Sequence, residues 1–368
     1  LVFVCLFPVI PLYAITMVKE SIFLPLIICF VLLVIEIAKT GGVMLSRTKP
    51  FFIFLVLSIL ISLTRKTGVY IAVGTCILLL FAVKRKYWLR LLSVGAVSVV
   101  IMEVLLPFVL FPIFNIQPGG KQEMLAVPFQ QTARVIKEHG DQISADQIAI
   151  VDGVLGNKDA AKRYNPYDSD PVKGFIWNSA RNEFLGRYIH IWLSELVKYP
   201  KTYVEAYAAL EYAWIALPTA SSPDLISRSL PVYATGTNHS FFKGHDKIGL
   251  KSNQVRHGAI IEKGVDWIEQ TPLGMLVFSR AIWTTWMVAF ILYEAFRARR
   301  VHGLVPLISV SPYVICFMSL FAAPNSGSIE SMRYMIPQVF LAPICLAIVA
   351  VYCVQNKEDL IMRQEADE

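Results

Sequence analysis

The sequence predicts an all-α membrane protein with about eight transmembrane helices and one large, mostly helical extracytoplasmic domain inserted after the fifth. Composition is the first reason. Of 368 residues, 55% are hydrophobic and only 17% are charged, and the mean hydropathy is +0.55, which is typical of multi-pass membrane proteins. The second reason is a long polar block at residues 115–271, which lies between two groups of apolar segments.

A helix needs about 20 apolar residues to cross the hydrocarbon core of a membrane. Segments that reach or approach this length occupy residues 1–18, 22–38, 51–63, 69–83, 91–114, 273–296, 304–323 and 336–354. The predicted organisation follows from them. It places transmembrane helices in 1–114, the extracytoplasmic domain in 115–271, further transmembrane helices in 272–354 and a cytoplasmic tail in 355–368.

Basic residues concentrate in the connections 39–49, 84–90 and 297–300, which share one side of the membrane if the spans alternate. The positive-inside rule assigns that side to the cytoplasm. The chain is therefore predicted to lie in the cell membrane with its large loop outside. The positions of these basic connections also account for most of the net charge of +7. The sequence has no basic face interleaved with aromatic residues, so we do not predict nucleic acid as a partner.

A second set of basic residues opposes this charge bias, because it lies in short connections on the predicted outer side. Its members are Lys19, Arg65, Lys66 and Arg333. A cation at the outer surface is well placed to bind the phosphate of a lipid carrier, and arginine offers a bidentate fork for it. The alternative is that these side chains extend to ordinary anionic membrane lipids.

The predicted helix 123–139 carries a second group of candidates, since Glu123, Gln130 and Arg134 recur at helical spacing and Gln131 lies beside them. A carboxylate, amides and a guanidinium on one face suit a sugar or a phosphate. The alternative is an amphipathic helix that exposes its polar side to solvent. Pro128 has to lie in the first turn of this helix or at a kink.

Metal and cofactor signals are weak. Asp168 and Asp170 could hold a divalent metal, but they lie in a turn-rich stretch that selects aspartate for backbone reasons. His239, His245 and His257 lack the spacing of a zinc site. We therefore predict no metal site and no cofactor, with a divalent metal as the alternative. Separately, Glu103 lies deep in the segment 91–114, where a carboxylate is a functional candidate by default.

Several stretches together resemble an uncharacterised family of bacterial polytopic membrane proteins, which is itself similar to the C-type glycosyltransferases. The stretches are Thr-Arg-Lys-Thr-Gly-Val-Tyr at 64–70, Glu-Met-Leu-Ala-Val-Pro-Phe-Gln-Gln-Thr-Ala-Arg at 123–134, Tyr-Asn-Pro at 164–166, Ser-Asp-Pro-Val-Lys at 169–173 and Arg-Tyr at 333–334. C-type enzymes use sugars linked to polyprenyl phosphate at the extracytoplasmic face. The resemblance extends from about residue 8 to residue 347.

The resemblance implies binding roles for the residues listed here: Arg65, Glu123, Gln130, Gln131, Arg134 and Arg333. It also implies an extracytoplasmic catalytic carboxylate, for which we take Glu20 and Glu123 as candidates. The step Lys19-Glu20 resembles a Lys-Asp pair at the outer end of an early span, with Glu in place of Asp. Because the chain begins without methionine, a fragment that lacks the usual catalytic loop is one interpretation.

The expected function is sugar transfer from a lipid-linked donor in the assembly of cell-surface polysaccharide or glycolipid. The alternative is a non-enzymatic transporter or flippase of lipid-linked sugars. A transporter normally lines a path through several spans with polar residues, whereas these spans are nearly free of polar residues apart from Glu103 and Glu294. This difference favours an enzyme that works at the membrane surface.

Overall fold

The computed structural model describes residues 3, 7, 10, 19–116, 119–156, 159–174, 177–217, 263–264, 267–268, 271–322, 326 and 332–367. Within these ranges the chain forms helices of α, 3-10 and π type and no β-strand, so the all-α prediction is confirmed there. The predicted segment 1–18, apart from positions 3, 7 and 10, and the histidines of 239–257 lie outside the described residues.

The first apolar group folds into helices that pack side by side. They are α1 (Lys19–Lys39), α2 (Thr48–Thr64), α3 (Thr67–Leu79) and α4 (Trp88–Val100). Helix α2 contacts the other three. Helix α4 continues without a break through the π-helical stretch Ile101–Leu110 to Ile113. The basic connection after α3 includes a 3-10 turn at Arg85–Tyr87.

The polar block of residues 115–271, which we call the central block, has its own small cores. Phe129, Val154 and Tyr188 are fully buried there. Its main helices are α5 (Ala126–His139), α6 (Ala145–Leu155), α7 (Asn182–Lys198) and α8 (Pro200–Ile215). Helix α5 packs against α8, and α6 packs against α7. Helix α6 begins with a capping box, in which the Ser144 hydroxyl and the Gln147 side chain bond each other's backbone N–H groups.

The prediction that the helix begins at Glu123 was wrong. Glu123 ends a 3-10 turn, Lys121–Glu123, and α5 begins only at Ala126. Pro128 therefore lies in the first turn of α5, where its missing N–H has no intrahelical partner to lose. As a result Glu123 does not share a helical face with Gln130 and Arg134.

The second apolar group completes the structure. It contains α9 (Pro272–Phe278), a π-helical turn (Ile282–Trp286), α10 (Met287–His302), a short helix (Val305–Ser309), α11 (Ser311–Met318) and α12 (Met332–Asp367). One hydrophobic core joins both apolar groups, with Phe30 and Ile71 from the first and Ile291 and Val339 from the second. Trp214 at the end of α8 belongs to the same core, so the central block is anchored in the apolar helices.

Among the described residues, three helices are long and apolar enough to cross a membrane, which is fewer than the eight predicted segments. They are Lys19–Lys39, Arg85–Ile113 and Arg333–Val354. The apolar helices α2 and α3 have 17 and 13 residues, and they reach only about 26 and 20 Å at a rise of 1.5 Å per residue. The predicted segments 273–296 and 304–323 are interrupted near Ser279 and Val310.

Candidate functional site

The four basic residues that the sequence analysis assigns to the predicted outer side lie in one region of the structure. Together with Glu20 we call them the cation cluster: Lys19, Arg65, Lys66 and Arg333. Lys19 interacts electrostatically with Glu20 and with the other three cations. The residues come from the described start of α1, the turn between α2 and α3, and the start of α12. Four cations and one carboxylate leave an excess of positive charge, which suits an anion.

Arg65 is the most enclosed cation of the cluster, with 6% of its surface exposed. Its guanidinium carbon lies 5.8 Å from the centre of the Phe23 ring and 5.5 Å from that of Tyr334. These rings provide cation–π contacts from two helices and fix the direction of the side chain. Its Nη1 atom is buried and has no hydrogen-bond partner among the described residues. A donor of this kind can bind an acceptor supplied by a ligand.

Two further cations lie beside Arg65, because Lys66 follows it in the chain and Arg333 contacts the same Tyr334 ring. Arg333 lies over the Tyr334 ring at 4.9 Å, and its Nη2 atom donates a hydrogen bond of 2.9 Å to the Tyr334 hydroxyl. Lys66 is exposed and forms the N-cap of α3, where no side chain caps the helix. The first N–H groups of α3 thus add partial positive charge beside the cluster.

Glu20 is the buried anion of the cluster. It is 1% exposed, and neither of its carboxylate oxygens has a hydrogen-bond partner among the described residues. Removing a carboxylate from water without a partner costs on the order of several kcal/mol, so the neighbouring cations have to offset part of this cost. A carboxylate oxygen that has no partner can accept a proton from a hydroxyl bound next to it.

The turn that presents Arg65 and Lys66 depends on Gly68. The Gly68 N–H donates a 2.7 Å hydrogen bond to the Arg65 carbonyl. A Cβ atom at Gly68 would lie 2.8 Å from the Ser62 nitrogen and closer still to the Ile61 carbonyl oxygen. Because these neighbours are backbone atoms, they cannot rotate away from a larger residue.

We expect the substitution Gly68→Ala to destabilise the protein by about 1–3 kcal/mol, the usual cost of overpacking. The clash should force apart α2 and α3 and displace Arg65. Thermal unfolding in detergent measures the effect. The matched control is Gly186→Ala in α7, where an added Cβ meets nothing within 4 Å, so alanine should be neutral or slightly stabilising. Equal stabilities for the two variants would contradict the role of Gly68.

Glu123 lies elsewhere, on the surface of the central block. Its side chain is 59% exposed, and its Oε2 atom is 2.7 Å from the Lys173 Nζ atom. Lys173 also pairs with Asp170 at 2.8 Å. Burial alone would lower the pKa of Lys173, but its hydrogen bonds to Asp170 and Glu123 raise it above the usual value. Glu123 therefore helps to hold a charged lysine.

The two glutamines of α5 are buried and hold neighbouring segments of the central block. Gln130 is fully buried, and its Nε2 atom donates to the Asn165 carbonyl. Gln131 donates to the Tyr203 carbonyl at 3.2 Å and accepts a 3.0 Å hydrogen bond from the Trp192 indole. In this structure both side chains serve packing within the central block.

Arg134 forms ion pairs with Glu138, at 2.8 Å, and with Glu205 of α8. Helix α5 also packs against α8 and against the short helices Ala160–Arg163 and Asp170–Lys173. The described partners of Arg134 and Glu123 thus lie within the central block. The structure brings the cation cluster together and places the candidates of residues 123–134 separately from it.

The carboxylates of the turn at 165–170 make local contacts. The Asp168 Oδ1 atom accepts a 2.9 Å hydrogen bond from the Asp170 N–H, as in an Asx turn. Burial raises the pKa of Asp168 above its usual range. Among the described residues there is no group of at least three His, Cys, Asp or Glu side chains that could hold a metal ion.

The sequence analysis missed a second buried polar region, where the end of α8 meets the apolar helices. Arg280 is 2% exposed and donates through Nη1 to the Ser326 carbonyl, while the Ser326 hydroxyl donates to the Leu210 carbonyl. Glu211 is 1% exposed, and neither carboxylate oxygen has a hydrogen-bond partner among the described residues. The available signal was a charged residue inside an apolar run, which both Arg280 and Glu211 provide.

The fold and the cation cluster define a class: a helical protein whose long apolar helices suit a membrane and whose cations suit an anion. Residues 1–364 match DUF6020, a family of unknown function, and the chain belongs to this family. The comparisons with curated proteins and with solved structures each found no match.

Proposed function

We propose that this protein is a membrane-embedded, glycosyltransferase-like enzyme that uses a lipid-linked sugar at the extracytoplasmic face, in the assembly of cell-surface polysaccharide or glycolipid. The observation that carries the proposal is the cation cluster, which includes the buried Glu20. Three features favour a phosphate as its ligand: the excess of cations, the unpaired Nη1 atom of Arg65, and the uncapped N-terminus of α3.

The proposal also assigns a membrane topology to the whole chain. All eight apolar segments cross the membrane or reach far into it, and residues 115–271 form the extracytoplasmic domain. The short helices α2 and α3 fit this arrangement because they pack against neighbouring apolar helices. A bilayer can thin locally around a short span, or the turn between the two helices can lie below the membrane surface. The basic connections, such as the turn Arg85–Tyr87, then face the cytoplasm.

In the proposed reaction, Arg65, Arg333 and Lys66 bind the phosphate of the donor, and Lys19 adds to the positive field. The acceptor hydroxyl attacks the anomeric carbon, the bond from that carbon to the phosphate oxygen breaks, and the carrier phosphate leaves with the electron pair. Glu20 takes the proton of the hydroxyl, while the cations stabilise the charge on the leaving phosphate. We assign the proton acceptor to Glu20 because Glu123 is exposed and paired with Lys173.

Replacing Arg65 by alanine should weaken the binding of polyprenyl phosphate by about 1.5–3 kcal/mol, the value of a hydrogen bond to a charged group. Lysine should restore only part of the affinity because it lacks the bidentate fork. Arg333→Ala should act in the same direction. The measurement is the affinity of the full chain in lipid nanodiscs for polyprenyl phosphate.

The matched control is Arg85→Ala, which removes a basic residue at the opposite ends of the helices. Arg85 lies over the Trp88 ring at 5.7 Å and makes a cation–π contact similar to those of Arg65. Its replacement should leave the affinity unchanged. Equal affinities of the Arg65→Ala, Arg333→Ala and Arg85→Ala variants would exclude the cation cluster as the phosphate site.

A further inference from the structure

The second half of the long helix that begins at Arg85 stands apart from the bundle. In its first half, α4, the buried residues Leu91, Val94, Gly95 and Ser98 face α2 and α3. From Ile101 to Ile113 no residue is buried. Apart from Glu103, the exposed side chains here are apolar, including Val104, Phe108 and Ile113. This half of the helix therefore presents an apolar surface that the described chain does not cover.

Glu103 interrupts this apolar surface. It is exposed, and no hydrogen bond or ion pair joins it to any part of the chain that the structure describes. Glu294 differs in this respect. The Nη1 atom of Arg297, in the same helix, lies 3.0 Å from the Glu294 Oε1 atom and neutralises the carboxylate. A carboxylate on an apolar helix normally has such a partner.

The position of Glu103 along the helix makes this exposure costly. At a rise of about 1.5 Å per residue, Glu103 lies roughly 20 Å from Arg90, the last basic residue of this helix, and roughly 15 Å from Ile113. With the basic end of the helix at one membrane surface, Glu103 lies within the hydrocarbon region of about 30 Å. The local helix is also π-helical, a form that occurs frequently at functional sites.

We propose that the surface of Ile101–Ile113 is the docking site of a membrane-spanning helix from a partner protein, and that this helix carries a lysine or arginine at the depth of Glu103. The inference rests on the membrane embedding in the proposed function. Charge complementarity selects the partner, because an unpaired carboxylate in lipid requires a cation or a donor. A second copy fits less well, since its symmetric contact would bring two Glu103 carboxylates together.

The test uses the full chain in lipid vesicles with a donor fluorophore at its C-terminus. Acceptor-labelled synthetic peptides, each a leucine-rich transmembrane helix with lysine, leucine or glutamate at its midpoint, serve as probes. Energy transfer should show that the lysine peptide binds the native chain at least tenfold more tightly than the leucine peptide. Glu103→Leu should remove the difference, and Glu103→Lys should prefer the glutamate peptide. The matched control, Glu294→Gln, should behave like the native chain.

Equal binding of the lysine and leucine peptides to the native chain would overturn the proposal. So would energy transfer between two labelled copies of the chain that disappears in Glu103→Leu, because it would assign the surface to a second copy. Glu103→Leu should retain its affinity for polyprenyl phosphate, so a failure of docking is distinguishable from a failure of the proposed function. Release of the native chain from membranes by alkaline carbonate would contradict the embedding on which both rest.

Discussion

Glu20→Gln should reduce sugar transfer by about 10²- to 10⁴-fold, the usual contribution of a positioned general base. Glutamine keeps the shape of the side chain and fills the same buried position, but it cannot accept a proton. The rate of transfer from a polyprenyl-phosphate-linked radiolabelled sugar to membrane acceptors measures the effect. Binding of polyprenyl phosphate should persist, because the cations that contact the phosphate remain.

Glu123→Gln is the matched control for this experiment. Glu123 is exposed and pairs with Lys173, so its loss should change the transfer rate by less than about fivefold, within the range of a surface ion pair. If Glu123→Gln abolishes transfer and Glu20→Gln does not, the catalytic assignment is wrong. If the native chain moves the lipid-linked sugar across vesicles and transfers nothing, the transporter alternative is favoured.

Glu211 should make the stability of the protein depend strongly on pH. Burial raises the pKa of this carboxyl from its ordinary value of 4.5 to about 8, because the charged form loses its hydration. The folded state therefore holds the proton more tightly than the unfolded state does. The stabilising contribution is complete below pH 4.5 and is lost as the pH rises towards 8.

Between pH 5 and pH 8 this loss should be on the order of 4 kcal/mol, at about 1.4 kcal/mol per pH unit. The Glu211→Gln variant should lack this part of the pH dependence, because an amide does not titrate. Unfolding in detergent across the range measures both proteins. Glu183→Gln, which changes an exposed carboxylate at the start of α7, should follow the native curve. A Glu211→Gln curve parallel to the native one would disprove the role of Glu211.

The sequence predicts well those helices that are determined by residues close to one another in the chain. Helix α1 and the helix Arg85–Ile113 follow directly from long apolar runs. The start of α5 was misplaced because Met124 and Leu125, which connect the 3-10 turn Lys121–Glu123 to the helix, are apolar like the residues of the helix itself. Periodicity alone does not distinguish the two.

Among the candidate site residues, those of the cation cluster share a signal that the sequence contains. Lys19, Arg65 and Arg333 each stand at a boundary of an apolar run, against the charge bias of the other connections. The sequence contains no such signal for the contacts of Glu123 with Lys173 and of Gln130 with Asn165. The residues of each pair are distant in the chain and approach each other only through tertiary packing. Alternation of polar and apolar residues cannot tell a ligand-binding amide from one that bonds a neighbouring carbonyl.

The sequence by itself determined that the chain is helical, apolar and divided by a polar block, because hydropathy and helix formation depend on residues near one another. Only the tertiary structure decided which charges are buried. It enclosed Glu20 and Arg65 between three helices, and it buried Glu211 where α8 meets the apolar core. Burial depends on elements that are far apart in the chain, and burial decides whether a carboxylate is a solvated surface group or a reactive one.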